Sequence, residues 1–322
     1  MRLNEYQRAA AKTDQFQARK VSNGQVDKAE LVPLLGLTGE VGALLSEYKK
    51  LLRDGPVHMR FKDRVKEELG DTLWYVAAVA SKFDLTLEDI ARANLNKVSD
   101  RWAQGQKRKP FDTKAPRSER LPQRFVYTFA NVTRKDGKPG VALQNRHGQQ
   151  IGDTLTDNSY EDDGYRFHDV MHFAFVAILG WSPVARKMLS KKRKSSHKKD
   201  EVEDGGRANV IDEAIVAMVF DYIQHDLGTT AGMTRIDSEP LRGIRALTRG
   251  FEVYERTEAQ WEEAILKGLA VWRQVDAHGG GEIEGDFLRS TFEFRAPTRT
   301  GAATATAPSR VAQRRQPRSK RD

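Results

Sequence analysis

Four carboxylates stand in stretches that otherwise read as buried or amphipathic helix, and they limit what the first hundred residues can become. Glu40 and Glu47 lie in LLGLTGEVGALLSEYKK, and Glu68 and Asp71 lie in KEELGDTLWYVAAVA. Glu68 and Asp71 are three apart, so a helix sets them on one face, one turn from each other. Glu40 and Glu47 are seven apart, which is two turns and about 10 Å along a shared face. Acids among Leu, Val and Trp are costly unless something compensates them. A divalent cation does so, because hard carboxylate oxygens suit Mg²⁺ or Mn²⁺.

Helical texture runs from about Leu3 to Trp102. A first helix is expected over 3–18, with Tyr6, Ala9, Ala10, Thr13 and Phe16 at helical spacing; Ser22-Asn23-Gly24 breaks it. A second, over 29–53, carries Glu40 and Glu47 and stops at Asp54-Gly55-Pro56. A third, over 61–83, carries Glu68 and Asp71. A fourth starts near Thr86, with Asp89 in a capping-box-like position, and ends around Trp102. Four helices with short connections imply a bundle, or half of one completed by a second subunit.

The texture then changes. Residues 105–123 are polar, basic and proline-containing, and read as a linker. RFVYTFANVTR alternates as a strand, KDGKPG is a turn and VALQNRHGQQI is a second candidate strand, so a hairpin is expected. Helical texture returns over 165–179, 210–223 and 258–275, and FLRSTFEFR reads as a closing strand. The stretch 187–206, with KKRKSSHKK, reads as a polar loop or a frayed helix end. The organisation is therefore multi-domain: an all-α bundle over 1–104, the linker, an α+β domain over 124–295, and a disordered basic tail over 296–322.

Length and charge agree with this division. The chain has 322 residues, enough for two domains with real cores, and no cysteine, which excludes disulfides and thiolate metal sites. Its net charge is +9, but the tail holds seven basic residues against one acid, so the folded part is only mildly basic. The tail offers at most weak, salt-dependent nucleic-acid contact. No early apolar run resembles a signal peptide, and none approaches the ~20 residues of a membrane span. A cytoplasmic location and no membrane partner are the expectation.

GLTGEVGALLSEYKK followed by KEELGDTLWYVAAVASKFDLTLEDIARANLNKVSDRW resembles the MazG-type all-α nucleoside triphosphate pyrophosphohydrolases. The likeness covers about residues 1–104. It implies that an E-x-x-E motif and an E-x-x-D motif hold Mg²⁺, and that a bound triphosphate is split to a monophosphate and pyrophosphate. Glu40 matches the first Glu of E-x-x-E, and Glu68 and Asp71 match E-x-x-D. Asn94, Lys97 and Arg101 match the polar positions of the last helix that face the nucleotide. A homodimer or higher homo-oligomer is also implied. The departure is Ala43, where the second Glu of E-x-x-E is expected. That puts metal stoichiometry in question more than reaction class.

Residue chemistry runs parallel to the resemblance. Mg²⁺ on phosphate oxygens neutralises charge, and a spare carboxylate serves as general base; Glu47 and Glu67 are the candidates. Lys97 and Arg101 would neutralise the leaving pyrophosphate. Trp74, Tyr75 and Trp102 are candidates to stack on a base, although such stripes are more often core.

Residues 124–295 carry no motif that assigns a family. Their most chemical stretch is YRFHDVMHFAF, where His168 and His172 are four apart, the spacing of a two-His metal site. Glu213 or Asp212 would complete it, with His225 nearby in sequence. Two rival readings follow. In one, the bundle has lost catalysis at Ala43 and senses nucleotides for the second domain. In the other, the second half is a separate metal-dependent enzyme.

Overall fold

The computed structural model describes residues 1–15, 28–102, 108–160, 162–223 and 233–296. The expected break at 22–24, Phe16, the bundle's last residues 103–104, residues 105–107 of the expected linker, His225 and the tail beyond Ala296 lie outside the described residues. Two compact units divide between Ser99 and Asp100.

The first unit is helical. Helix α1 spans Leu3–Ala11, α2 Lys28–Asp54, α3 Phe61–Lys82 and α4 Leu87–Trp102, whose last residues belong to the second unit. α1 is shorter than its periodicity predicts. The Thr13 hydroxyl donates to the Ala10 carbonyl at 2.8 Å and accepts from Trp74 Nε1 at 2.8 Å, which turns the chain out of the helix. α2 stops where expected: Gly55 takes φ +60 and Pro56 follows. Thr86 caps α4, accepting from the Asp89 amide at 3.1 Å and donating to its carboxylate at 2.7 Å.

α2 and α3 pack along most of their length, and α1 lies on α3. The small core is Ala10, Ala77, Ala80 and Leu87, closed by Tyr6, Trp74 and Val76. Gln7 ties α1 to the others: its Nε2 donates to Ser81 Oγ and the Leu85 carbonyl, and its Oε1 accepts from the Leu87 amide at 2.8 Å. α4 joins this core through Leu87.

The second unit is α+β. Its strands are β1 Arg124–Thr133, β2 Pro139–Gln144, β3 Gln150–Leu155, β4 Gly281–Asp286 and β5 Thr291–Arg295. They form one antiparallel sheet in the order β3-β2-β1-β4-β5. β1 and β2 make the expected hairpin, with Phe129 opposite Leu143. VALQNRHGQQI is not one strand: it folds at Asn145–Gly148 into β2 and the start of β3. β4 has no alternation of apolar and polar side chains strong enough to find it, and it pairs with β1 from the far end of the chain. Phe125, Tyr127 and Phe129 point to one face of β1, and Phe125 and Tyr127 pack on Phe173 with ring centroids 5.5 and 4.8 Å apart.

Helices α5 Asp169–Leu179, α6 Pro183–Met188, α7 Gly206–Asp221, α8 Ser238–Thr248 and α9 Glu258–His278 build the rest. Every residue of α5 is buried, between the sheet and α9. α6 and α8 were not legible as separate periodic segments.

Two expectations for this half are corrected. Residues 108–123 are no free linker. Asp112 is buried, accepting from the Leu121 amide at 2.7 Å and pairing with buried Arg186 at 2.6 Å. Arg108 donates to the Ile178 carbonyl at 2.7 Å and pairs with Glu263. KKRKSSHKK is no loose charged loop either. Its Arg193 is buried against Asp204 at 2.6 Å and Glu252 at 2.7 Å. Charges taken from water this far must be paired, and these are.

Candidate active site

The acids of α2 and α3 meet because the two helices run antiparallel in close register. Gly36 packs on the ring of Tyr75, and four residues further along each helix Glu40 reaches Asp71 and Glu68. One oxygen each from Glu40, Glu68 and Asp71 lies within 4.8 Å of the other two. Glu40 and Glu68 are half-buried and Asp71 is exposed. Among the described residues, none of the three has a Lys, Arg or His ion-pair partner. Partial burial, and then the Glu40 and Asp71 charges, push the Glu68 carboxyl above its ordinary range. Tyr6 lies close enough to Asp71 for that charge, after burial, to raise the phenol. Three acids sharing a space with no cation fit a divalent ion with hard oxygen ligands.

The same register, carried two turns on, puts Glu47 against Arg64 at 3.8 Å. Interpolating between these contacts sets Ala43 across from Glu68. Glu47 is not a spare carboxylate. It is buried, bonds Lys50 and lies 3.0 Å from His58 Nε2. The Lys50 hydrogen bond and charge, with Arg64 and His58 behind them, hold its carboxyl below the ordinary range. A carboxylate bonded on both oxygens has poor access to a water proton. Glu67, the other candidate base, is exposed one residue before Glu68.

Asn94 and Lys97 are exposed on α4, and no contact joins them to the acid cluster. Arg101 is engaged inside the second unit. Its Nη2 donates to the Ile236 carbonyl at 2.6 Å and its Nη1 lies 3.2 Å from Glu262. Trp74 is bonded to Thr13, Tyr75 packs on Gly36, and Trp102 stacks under Arg235 at 4.2 Å. Trp74 and Tyr75 are thus engaged in packing, while Trp102 is 58% exposed.

Residues 28–105 match the model of the MazG nucleotide pyrophosphohydrolase domain, and residues 106–298 match that of the MazG C-terminal domain. The chain belongs to the MazG family. The second half, unassigned from sequence, is thus a MazG C-terminal domain. The chain is also similar to the Gene 37 protein of Mycobacterium phage L5, 40% identical over 73 residues. That match covers 22% of this chain and 64% of the phage protein's length. No solved structure matches the chain. No helix among the described residues is long and apolar enough to cross a membrane.

The MazG C-terminal domain brings His168, His172 and Glu213 together on α5 and α7. His172 Nε2 lies 3.3 Å from Glu213 Oε2, and its Nδ1 lies 2.9 Å from buried Asp212. Burial alone would lower the His172 pKa, but Asp212 and Glu213 outweigh it and raise the pKa well above the ordinary value. Asp169, beside His168 and buried, stands with the two histidines as a third donor.

Proposed function

We propose that the protein is a Mg²⁺-dependent nucleoside triphosphate pyrophosphohydrolase, converting a ribo- or deoxynucleoside triphosphate and water to the monophosphate and pyrophosphate. Mn²⁺ is the natural substitute ion. The observation that carries this reading is the group of three carboxylates, Glu40, Glu68 and Asp71, gathered within 4.8 Å with no ion-pair partner among the described residues.

In this reading Glu40, Glu68 and Asp71 hold the ion. The ion supplies charge neutralisation to the triphosphate and a site for water. Glu67, exposed beside Glu68, takes the proton of the attacking water. The water oxygen ends on phosphorus, the α–β anhydride bond breaks, and pyrophosphate leaves. Lys97, exposed on α4, meets the leaving charge together with Asn94.

The chain works as a homodimer or larger oligomer. Leu34, Val41, Leu45, Tyr48 and Leu52 form an exposed stripe at spacings of three, four and seven along α2, and Leu45 is 66% exposed. A stripe of that size calls for a partner surface. The biological use is control of the nucleotide pool, or nucleotide depletion in a stress or phage-defence response.

The test is a screen of ribo- and deoxynucleoside triphosphates with Mg²⁺ or Mn²⁺, reading pyrophosphate. Release by the wild type and its loss in Glu68→Gln support the reading. Nucleotide binding without any release would favour the sensing role that Ala43 suggests.

A further inference from the structure

The second unit contains a group of side chains that pyrophosphate chemistry does not use. His168 and His172 open α5, four residues apart, with Asp169 between them. α7 lies across from them and carries Asp212 and Glu213. The three residues of α5 are buried, and one donor atom of each lies within 4.8 Å of the others.

Both imidazoles are oriented by their Nδ1 atoms. His168 Nδ1 lies 2.8 Å from the Tyr165 carbonyl, and His172 Nδ1 lies 2.9 Å from the Asp212 carboxylate. Both partners only accept, so Nδ1 carries the proton in each ring. Each Nε2 is left to a common space. Asp212 is itself fixed by Ser182 Oγ at 2.6 Å and the Val184 amide at 3.1 Å. Carbonyl and carboxylate groups behind the rings are how metal-binding histidines are normally held.

Three of the donor spacings approach those of a small tetrahedral shell. Bonds of about 2.0–2.1 Å to the ion place neighbouring donors roughly 3.3 Å apart. His172 Nε2 is 3.3 Å from Glu213 Oε2, His168 Nε2 is 3.8 Å from the same oxygen, and His168 Nε2 is 3.6 Å from Asp169 Oδ1. Asp169 is the decisive member. Its side chain is only 6% exposed, yet among the described residues it accepts no hydrogen bond. A carboxylate this sheltered from water, with His168 Nε2 3.6 Å away, is well placed to take a cation.

We propose that His168, Asp169, His172 and Glu213 bind a zinc-class transition-metal ion. Imidazole donors favour Zn²⁺ over Mg²⁺ or Ca²⁺, and the chain has no thiolate to compete. Glu213 is the labile ligand: its side chain is 46% exposed, so the ion enters from that side and water can replace Glu213 there. This centre stands independently of the proposed pyrophosphohydrolase activity.

The experiment uses the full chain, stripped with chelator, mixed with zinc chloride, desalted and analysed for metal. The wild type should retain about one firmly held zinc per chain, and Glu68→Gln should retain it too. His168→Gln and Asp169→Asn, checked for native circular dichroism, should lose it. Should those variants fail to fold, Co²⁺ titration of the wild type decides instead. A low-coordinate nitrogen site gives strong visible bands that saturate near one equivalent, whereas an all-oxygen site gives weak six-coordinate bands. No zinc retained by the wild type, undiminished zinc in the folded variants, or no saturable bands would each overturn the proposal and leave His172 as an imidazolium clasped by two acids.

Discussion

Gly36 of α2 lies against the ring of Tyr75 of α3, so close that a β-carbon at Gly36 would come within 2.2 Å of Tyr75 Cε1. Glycine is the one residue that fits this approach. One turn along each helix from that contact stand Glu40 and Asp71, two of the three gathered carboxylates. The closeness of the acids is thus set by a position that carries no charge.

Gly36→Ala should therefore push α2 off α3 and spread the acids. We expect a stability loss of about 1–3 kcal/mol, as for overpacking generally, together with a raised Mg²⁺ requirement. Adding Tyr75→Ala should restore part of both. Chemical denaturation and a metal titration of the single and double variants check this; a single variant with wild-type metal response would break the link between packing and site.

Glu68→Gln and Asp71→Asn each remove one charge with little change in volume. Residues that merely orient ligands cost about 10–100-fold when removed, so a direct ligand should cost 100-fold or more in pyrophosphate release. Circular dichroism should stay native. Near-normal turnover in both variants would sink the carboxylate site.

Glu47→Gln should act differently, as a loss of stability. The carboxylate joins Lys50, His58 and Arg64 across α2 and α3, and the variant leaves those cations without it. The melting temperature should drop clearly while the Mg²⁺ requirement of the surviving fold stays the same. A changed metal requirement with unchanged melting would return Glu47 to the catalytic group.

Glu68 also gives a pH test. Its folded pKa is raised, so its stabilising contribution is complete below the unfolded value of about 4.3 and is lost as pH rises through the folded value. A divalent ion offsets that loss only where the acids are ionised. Mg²⁺ should raise the melting temperature at about pH 7.5 and leave it unchanged near pH 4. Equal shifts at the two pH values would place the ion elsewhere.

Lys97 and Arg101 should separate. Lys97→Ala should raise KM for the nucleotide, since the side chain is exposed and meets the substrate in the proposed reading. Arg101→Ala should mainly destabilise, by about 1 kcal/mol, because it removes one of the two arginines on the largely buried Glu262, which keeps Arg235 at 3.0 Å, and frees the Ile236 carbonyl. Steady-state kinetics and melting curves on both variants test the pair.

Much of the local structure was legible. The i, i+3 spacing of Glu68 and Asp71, the stop at Gly55-Pro56, the Thr86 cap and the alternation of Phe125, Tyr127 and Phe129 are short-range properties of the backbone, and each reads directly from neighbouring residues. Other features were not legible because they depend on residues far apart in the chain. Arg193 looks like part of a solvated basic run until Asp204 and Glu252 surround it, and Asp112 looks like linker until Arg186 reaches it. Periodicity gave Glu40 and Glu47 equal claims on the acids of α3. The resemblance favoured Glu40, and the packing of Gly36 on Tyr75 gives the physical reason: it sets the helix register that delivers Glu40 to Glu68 and Asp71 and leaves Glu47 to the cations two turns away.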